Sequence, residues 1–291
     1  MKLTHPERVV DTVSGATKGD VAAYYEAVAP LLLAELKGRP VALLRAPEGV
    51  GEPGFFQKHA GRSAFPGIRL LDPALWPGHE PLLSIGGRTA LMSAVQMNTL
   101  EFHAWNARSR TLDKPDRLVF DLDPGEGVAW AEVQSGAERV RDFLQTLALR
   151  SWLKTSGGRG LHVVVPLTAR WPTEIVRRFS EAVVQRLAAA HPQRFVARSG
   201  AAHRVGRIFI DWLRNGEGAT AVAAYSLRAR PGLGVAMPIH WSELADVEGA
   251  AQWTIANAAD HIARRKSDPW AELGATRQSL ATPLRALALL L

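Results

Sequence analysis

Leu118-Val119-Phe120-Asp121-Leu122-Asp123-Pro124-Gly125 delivers two carboxylates at the end of an apolar run. In a strand, successive side chains face opposite sides, so Asp121 and Asp123 point one way while Phe120 and Leu122 point the other. Two ionised carboxylates on one face repel each other unless a cation lies between them, and hard divalent ions bound by oxygen are the usual cations. The same letters also suit an ordinary strand-to-turn junction, with one Asp capping a following helix and the other solvated. Which reading holds depends on what else arrives at that point.

Ile208-Phe209-Ile210-Asp211 repeats the pattern, an apolar strand closed by an acid. If the two strands are neighbours, Asp211 joins Asp121 and Asp123, the arrangement that two-metal phosphoryl transfer requires. The alternative is a plain ion pair of Asp211 with Arg207 or Arg214. Ser156-Gly157-Gly158-Arg159-Gly160 reads as a turn whose glycines let backbone N–H groups approach an anion, with one hydroxyl and one guanidinium added, which suits a triphosphate. His162 follows on the face opposite Leu161 and Val163, where it could donate to a phosphate or ligate a metal, although a lone strand histidine is more often a satisfied core residue. His103 is a further candidate, against plain hydrogen bonding beside Trp105. Arg228 and Arg230 fall on one face if their segment is extended, suited to phosphates or to a solvated edge strand. Phe55 and Phe56 are adjacent on a short strand, so at least one is expected to be exposed and able to stack on a base.

The elements that must hold these residues follow from periodicity. Thr17 is placed to cap a helix, with Asp20 as its capping-box partner, and Val21, Tyr24, Tyr25, Val28 and Leu32 recur at helical spacing up to Gly38 and Pro40. Pro30 is expected to kink or divide that helix. Val41 to Leu44 reads as a strand, Ile68 to Leu71 and Leu82 to Ile85 as a hairpin with a long loop, Thr89 to Met97 as a helix, and Leu100 to His103 as a strand. A polar connector over Asn106 to Arg117 carries a soft lobe boundary. After the acid pair come an amphipathic helix over Trp130 to Leu149, strands at Ser151 to Thr155 and Leu161 to Pro166, a helix over Thr173 to Ala190, and the strand ending at Asp211. Ala219 to Ala224 is expected to be that strand's hairpin mate. Strand, helix, strand, strand, helix, strand resembles the split βαβ arrangement. Trp253 to Lys266 and the Ala/Leu-rich tail are expected to be helical.

Composition narrows the chemistry. The 291 residues are 47% hydrophobic, enough for a sizeable core, and contain no cysteine, so any metal must sit on oxygen or imidazole. No apolar run is long enough to span a bilayer, and Met1-Lys2-Leu3-Thr4-His5-Pro6-Glu7-Arg8 lacks the apolar core of a signal peptide, so a soluble cytoplasmic protein is expected. A net charge of +7, with arginines gathered between Arg198 and Arg230, favours polyanionic partners.

Four segments together, Asp121 to Gly127, Thr155 to Val163, Ile208 to Asn215 and Ala224 to Arg230, resemble the polymerase domain of bacterial DNA ligase D, of the archaeo-eukaryotic primase superfamily, over about His5 to Leu244. The resemblance implies an α+β primase-polymerase fold within a single domain over 1–291. An N-terminal αβ lobe of about 1–110 would contact the DNA end and template. A catalytic lobe of 111–291 would be RRM-like (split βαβ), its mixed and antiparallel sheets flanked by helices. It also implies a bacterial, nucleoid-associated, template-directed nucleotidyltransferase that fills short gaps at double-strand breaks in non-homologous end joining, with ribonucleotides preferred. Asp121, Asp123 and Asp211 would hold two divalent ions, Mn2+ or Mg2+ with manganese preferred, and His103 would lie near them and the incoming nucleotide. Ser156, Arg159, His162 and Arg228, with Arg230 beside it, would hold the NTP or dNTP. Phe55 and Phe56 would stack on the template. Arg8 and Lys18, with His5, would grip the 5' phosphate, and Arg204 would add to the DNA contact. Arg159 stands where relatives commonly carry lysine, and Leu44 where some carry a basic residue. Implied partners are DNA ends with a 5' phosphate and a gap or 3' overhang, a Ku-like protein, and ligase and nuclease domains of the same or another chain. Two other readings fit the same residues, a non-catalytic DNA end-bridging module and a metal-dependent phosphoesterase.

Overall fold

The computed structural model describes residues 3–59 and 66–289. Its chain groups into two compact units, one made of residues 1–112, 220–237 and 251–266, the other of residues 113–219, 238–250 and 267–291.

The first unit opens with α1 (Lys18–Leu36), capped as its sequence requires: Thr17 accepts from the Asp20 N–H while the Asp20 carboxylate accepts from the Thr17 N–H. Pro30 does not divide this helix. It lies on the exposed side, where water can serve the carbonyl it leaves unpaired, and the buried Val28, Ala29, Leu32 and Leu36 hold the turns on either side. There follow β1 (Val41–Arg45), β2 (Phe55–Gln57), the small antiparallel hairpin of β3 (Arg69–Leu70) and β4 (Leu83–Ser84), α2 (Arg88–Gln96) and β5 (Thr99–Trp105). β1 pairs antiparallel with both β2 and β5, which leaves β2 at the sheet edge.

The second unit carries β6 (Arg117–Pro124), α3 (Trp130–Thr146), β7 (Trp152–Thr155), β8 (Leu161–Pro166), α4 (Thr173–Ala190), β9 (Phe195–Val196) and β10 (Ile208–Asp211). Its sheet runs β7, β8, β6, β10, with every one of these neighbours antiparallel. That is the split βαβ order, and the α+β class read from the sequence holds. β9 extends the sheet by a parallel pairing with β10, making it mixed. α3 packs on the apolar face: a β-carbon added at Gly136 would lie 2.9 Å from Ile208 Cδ1 and 3.5 Å from Leu122 Cδ2. With Leu122 and Ile208 committed to α3, the alternation of β6 and β10 sends their acids to the opposite face.

β11 (Thr220–Val222) then pairs with β5 in the first unit's sheet and is not the hairpin mate of β10. The sequence between Asp211 and Thr220 is taken up by a 3-10 turn at Leu213–Asn215, and the edge of β6 beyond β10 is satisfied by a side chain. Asn215 donates through Nδ2 to the Val119 carbonyl and accepts from the Val119 N–H, both at 2.8 Å. One amide side chain thus replaces a rung of ladder, and no strand is needed there. β12 (Pro238–Ile239) pairs with β7. The region from Trp253 to Lys266 holds only the short helix α5 (Ala258–Arg264), and the tail holds α6 (Ala281–Ala286). Among the described residues, no helix is long and apolar enough to cross a membrane.

Candidate functional site

The register of the second unit's sheet decides the site. Asp121 on β6 stands opposite His162 on β8 and opposite Asp211 on β10, and His162 stands opposite Lys154 on β7. A row of four polar side chains therefore crosses the sheet, in the order Lys154, His162, Asp121, Asp211. All four are buried. Asp123, two residues along β6, is half-buried on the same side, and oxygens of Asp121, Asp123 and Asp211 all lie within 4.8 Å of one another.

Each acid meets a different set of charges. Asp121 Oδ1 lies 3.2 Å from His162 Nε2, and its Oδ2 lies 3.4 Å from Arg214 Nε. Burial opposes its ionisation, but His162, Arg214 and Lys154 outweigh burial and hold the carboxyl well below the usual range. Asp123 goes the other way. Burial and the neighbouring Asp121 charge push it up to about 6, although Arg204 Nη1 lies 3.4 Å from its Oδ2. Burial, and then the Asp121 charge, also raise Asp211, against the pull of Arg214 at 3.1 Å. The other Asp211 oxygen accepts from the Leu213 N–H at 2.9 Å, which begins the turn carrying Arg214. Because Asn215 ties that turn to β6, Arg214 is delivered beside two of the acids. Charge compensation is thus incomplete at Asp123 and Asp211. Three hard oxygen donors at one point with unneutralised negative charge form a donor set that fits Mg2+ or Mn2+.

The Ser156 to Gly160 turn joins β7 to β8. Ser156 Oγ accepts from the N–H groups of Gly158 and Gly160 at 3.2 and 3.1 Å, so the hydroxyl organises the turn. Gly160 presses on β6: a β-carbon there would lie 1.8 Å from the Leu122 carbonyl oxygen, so only glycine permits the approach. Arg159 at the tip is exposed. Arg204, expected to touch DNA, is placed against Asp123.

The remaining sequence candidates belong to the first unit. His103 on β5 is buried, its Nε2 2.7 Å from Glu101 Oε2, and it meets the Phe56 ring edge-on at 4.9 Å between centroids. Phe55 and Phe56 are 46% and 54% exposed, so both are available where strand alternation guaranteed only one; an edge strand covers neither face. Arg228 donates through Nε to Glu101 Oε2 at 3.0 Å. Its segment is not extended: the Arg230 N–H bonds back to the Arg228 carbonyl at 2.8 Å, which bends the chain and removes the shared face expected for Arg228 and Arg230. Lys18 is buried at the start of α1, Arg8 bonds Asn98 Oδ1 at 2.6 Å and the Pro47 carbonyl, and His5 is exposed.

Sequence reasoning gave no site role to Lys154, Glu101 or Asn215, and named Arg214 only as a possible ion-pair partner of Asp211, a pair that forms at 3.1 Å within the cluster. Lys154 was legible in principle, since on adjoining strands it is the residue that faces His162. Glu101 carried a weaker signal, an acid two residues before His103 and therefore on its face.

A family model described as "LigD, primase-polymerase domain" matches residues 17–270. The chain belongs to the LigD primase-polymerase family. It is 45% identical over 286 residues to the multifunctional non-homologous end joining protein LigD of Pseudomonas aeruginosa, covering 98% of this chain and 34% of that protein. To the LigD of Mycobacterium tuberculosis it is 36% identical over 258 residues, 84% of this chain and 33% of that protein. The chain thus spans about a third of the length of these curated relatives. Among solved structures it is similar to the polymerase domain of Mycobacterium tuberculosis ligase D in complex with DNA, with a TM-score of 0.86 and 33% identity, covering 96% of this chain and 99% of that one. The primase-polymerase fold of this family, read from the four sequence segments, is therefore the fold of this chain.

Proposed function

We propose that the chain is a template-directed nucleotidyltransferase that adds nucleotides, ribonucleotides in preference, at gapped DNA ends with a 5' phosphate, as the polymerase module of bacterial end joining. The observation that carries this reading is the meeting of Asp121, Asp123 and Asp211 oxygens within 4.8 Å on adjacent strands, in a chain of the LigD primase-polymerase family. Asp121, Asp123 and Asp211 would hold two divalent ions, manganese preferred, which when bound would stabilise the attacking and leaving oxygens of phosphoryl transfer. The remaining roles fall to side chains. His162 orients Asp121, and Arg214 and Arg204 offset part of the acid charge. The turn amides, Ser156, Arg159 and Arg228 serve the triphosphate, with His103 near the incoming nucleotide. Phe55 and Phe56 offer ring faces to template bases. Arg8 and Lys18 supply positive charge for a 5' phosphate, with His5 as a further hydrogen-bonding group. In the cell the chain would act in the cytoplasm on the nucleoid, as one domain, with a Ku-like protein and with ligase and nuclease domains.

Primer extension on a 5'-phosphorylated gapped duplex with manganese and each NTP or dNTP tests the reading. Incorporation that disappears in Asp121→Ala with Asp123→Ala supports it, and undiminished incorporation in that variant overturns it. Duplex binding without incorporation under any divalent metal points instead to an end-bridging module, and release of nucleotides from a labelled 3' end to a phosphoesterase.

A further inference from the structure

Glu101 is a buried acid of the first unit that the roles assigned above leave without one. It lies on β5, is 3% exposed, and binds three donors with two oxygens. Oε2 takes His103 Nε2 at 2.7 Å and Arg228 Nε at 3.0 Å, while Oε1 takes the Ala229 N–H at 2.8 Å. Burial disfavours its charge, but the His103 bond, the Arg228 guanidinium and the Ala229 amide together hold it down to about 2, so it is ionised at any working pH.

The segment from Ala223 to Arg230 needs such an anchor. In place of a strand ladder it has an isolated bridge, from Leu227 to Val235, and backbone bonds to Gly234 and Ala236. It is fixed to β5 by the Phe102 N–H bond to Ser226 Oγ at 2.9 Å and the Ala223 N–H bond to the Phe102 carbonyl at 2.8 Å. Tyr25, whose hydroxyl bonds the Leu100 carbonyl, takes the Leu227 N–H at 3.0 Å. These contacts place the backbone, and Glu101 holds the guanidinium of Arg228 through its Nε. A planar fork engaged through Nε has its plane fixed, and plane and reach decide which phosphate oxygens an arginine can meet.

We propose that Glu101 is a positioning residue for nucleotide addition, setting Arg228 and His103 from one shared carboxylate. The proposal rests on the reading of Arg228 as a triphosphate ligand and of His103 as a neighbour of the incoming nucleotide. Glu101 touches neither metal nor nucleotide, and acts through these two side chains alone.

The test is a double-mutant cycle of Glu101→Gln and Arg228→Ala in the full chain, read by nucleotide KM and kcat on a gapped duplex, with Mn2+ affinity measured by electron paramagnetic resonance. E101Q is expected to raise nucleotide KM about tenfold, the scale of one lost charge-assisted hydrogen bond. Mn2+ affinity should stay within about twofold, since the acid cluster lies on another sheet. In the R228A background, E101Q should add less than it does in the wild type, because one of the two side chains it aims is gone. Wild-type KM in E101Q, or losses that multiply in the double variant, overturns the positioning role while leaving the polymerase reading intact. R228A with unchanged nucleotide KM overturns the reading of Arg228 and this proposal with it. If E101Q fails to fold, Glu101→Asp, which keeps the charge but shortens its reach, carries the same cycle with the same outcomes.

Discussion

Asp123→Asn separates the cost of the acid cluster from its use. The substitution keeps volume and removes one charge where charges of the same sign crowd. A carboxyl pushed up to about 6 from an ordinary 3.8 loses about 3 kcal/mol of folding stability once ionised, at 1.36 kcal/mol per pH unit. The Asp123 side chain is 40% exposed, so solvent screening reduces this to about 1.5 kcal/mol. The Arg204 contact is already contained in that shift, so a gain of about 1.5 kcal/mol remains, which corresponds to roughly 3–6 °C for a protein of this size. The sign follows from linkage. The folded-state value lies above the unfolded one, so the stabilising contribution is complete below about pH 4 and is lost as pH rises through about 6. Metal-free D123N should therefore melt above the wild type at pH 8 in EDTA, and the difference should fall to about half at pH 5. With manganese the order should reverse: a ligand at a hundred times its Kd stabilises by about 2.7 kcal/mol, and D123N has lost one of the three donors. Differential scanning fluorimetry in four buffers decides the matter. A variant no more stable than the wild type at pH 8 in EDTA, or a difference unchanged at pH 5, would refute the electrostatic account of the cluster.

Two further perturbations probe the elements around the cluster. Gly160→Ala forces a β-carbon to within 1.8 Å of the Leu122 carbonyl oxygen, so urea unfolding should show a loss of about 3 kcal/mol as the turn lifts off β6; an unchanged midpoint would mean the turn is not seated there. Phe56→Ala removes a ring that is already 54% exposed, so the melting temperature should barely move, while affinity for a gapped duplex, followed by fluorescence anisotropy, should fall about 5- to 150-fold if the ring stacks on a base.

Much of the second unit was legible because its signals are local. Apolar runs marked β6, β8 and β10, amphipathic spacing marked α3, and the order of elements matched split βαβ; in the first unit the Thr17 cap and 3.6-residue spacing marked α1. The failures share one cause, the choice of a partner distant in the chain. Ala219 to Ala224 was assigned to the nearest strand in sequence, yet β11 joins β5, because β9 already occupies the free edge of β10. Arg228 and Arg230 would share a face in a strand, but Glu101 and Tyr25 capture the segment first and it bends.

The sequence by itself determined which residues are acids at strand ends, that any metal must take oxygen or imidazole, and that the Ser156 to Gly160 turn is rich enough in glycine to approach another backbone. Alternation, propensity and the absence of a side chain are properties a residue carries with it, so they survive without knowledge of its neighbours. Whether the three acids meet was a matter of register, and register belongs to pairs of strands: Asp211 falls opposite Asp121 because Leu122 and Ile208 bury their side chains against α3, and a slip of one residue would turn every acid to the other face. The same pairing set Lys154 and His162 in line with the acids. It also made each carboxyl's proton affinity a property of the cluster rather than of aspartate.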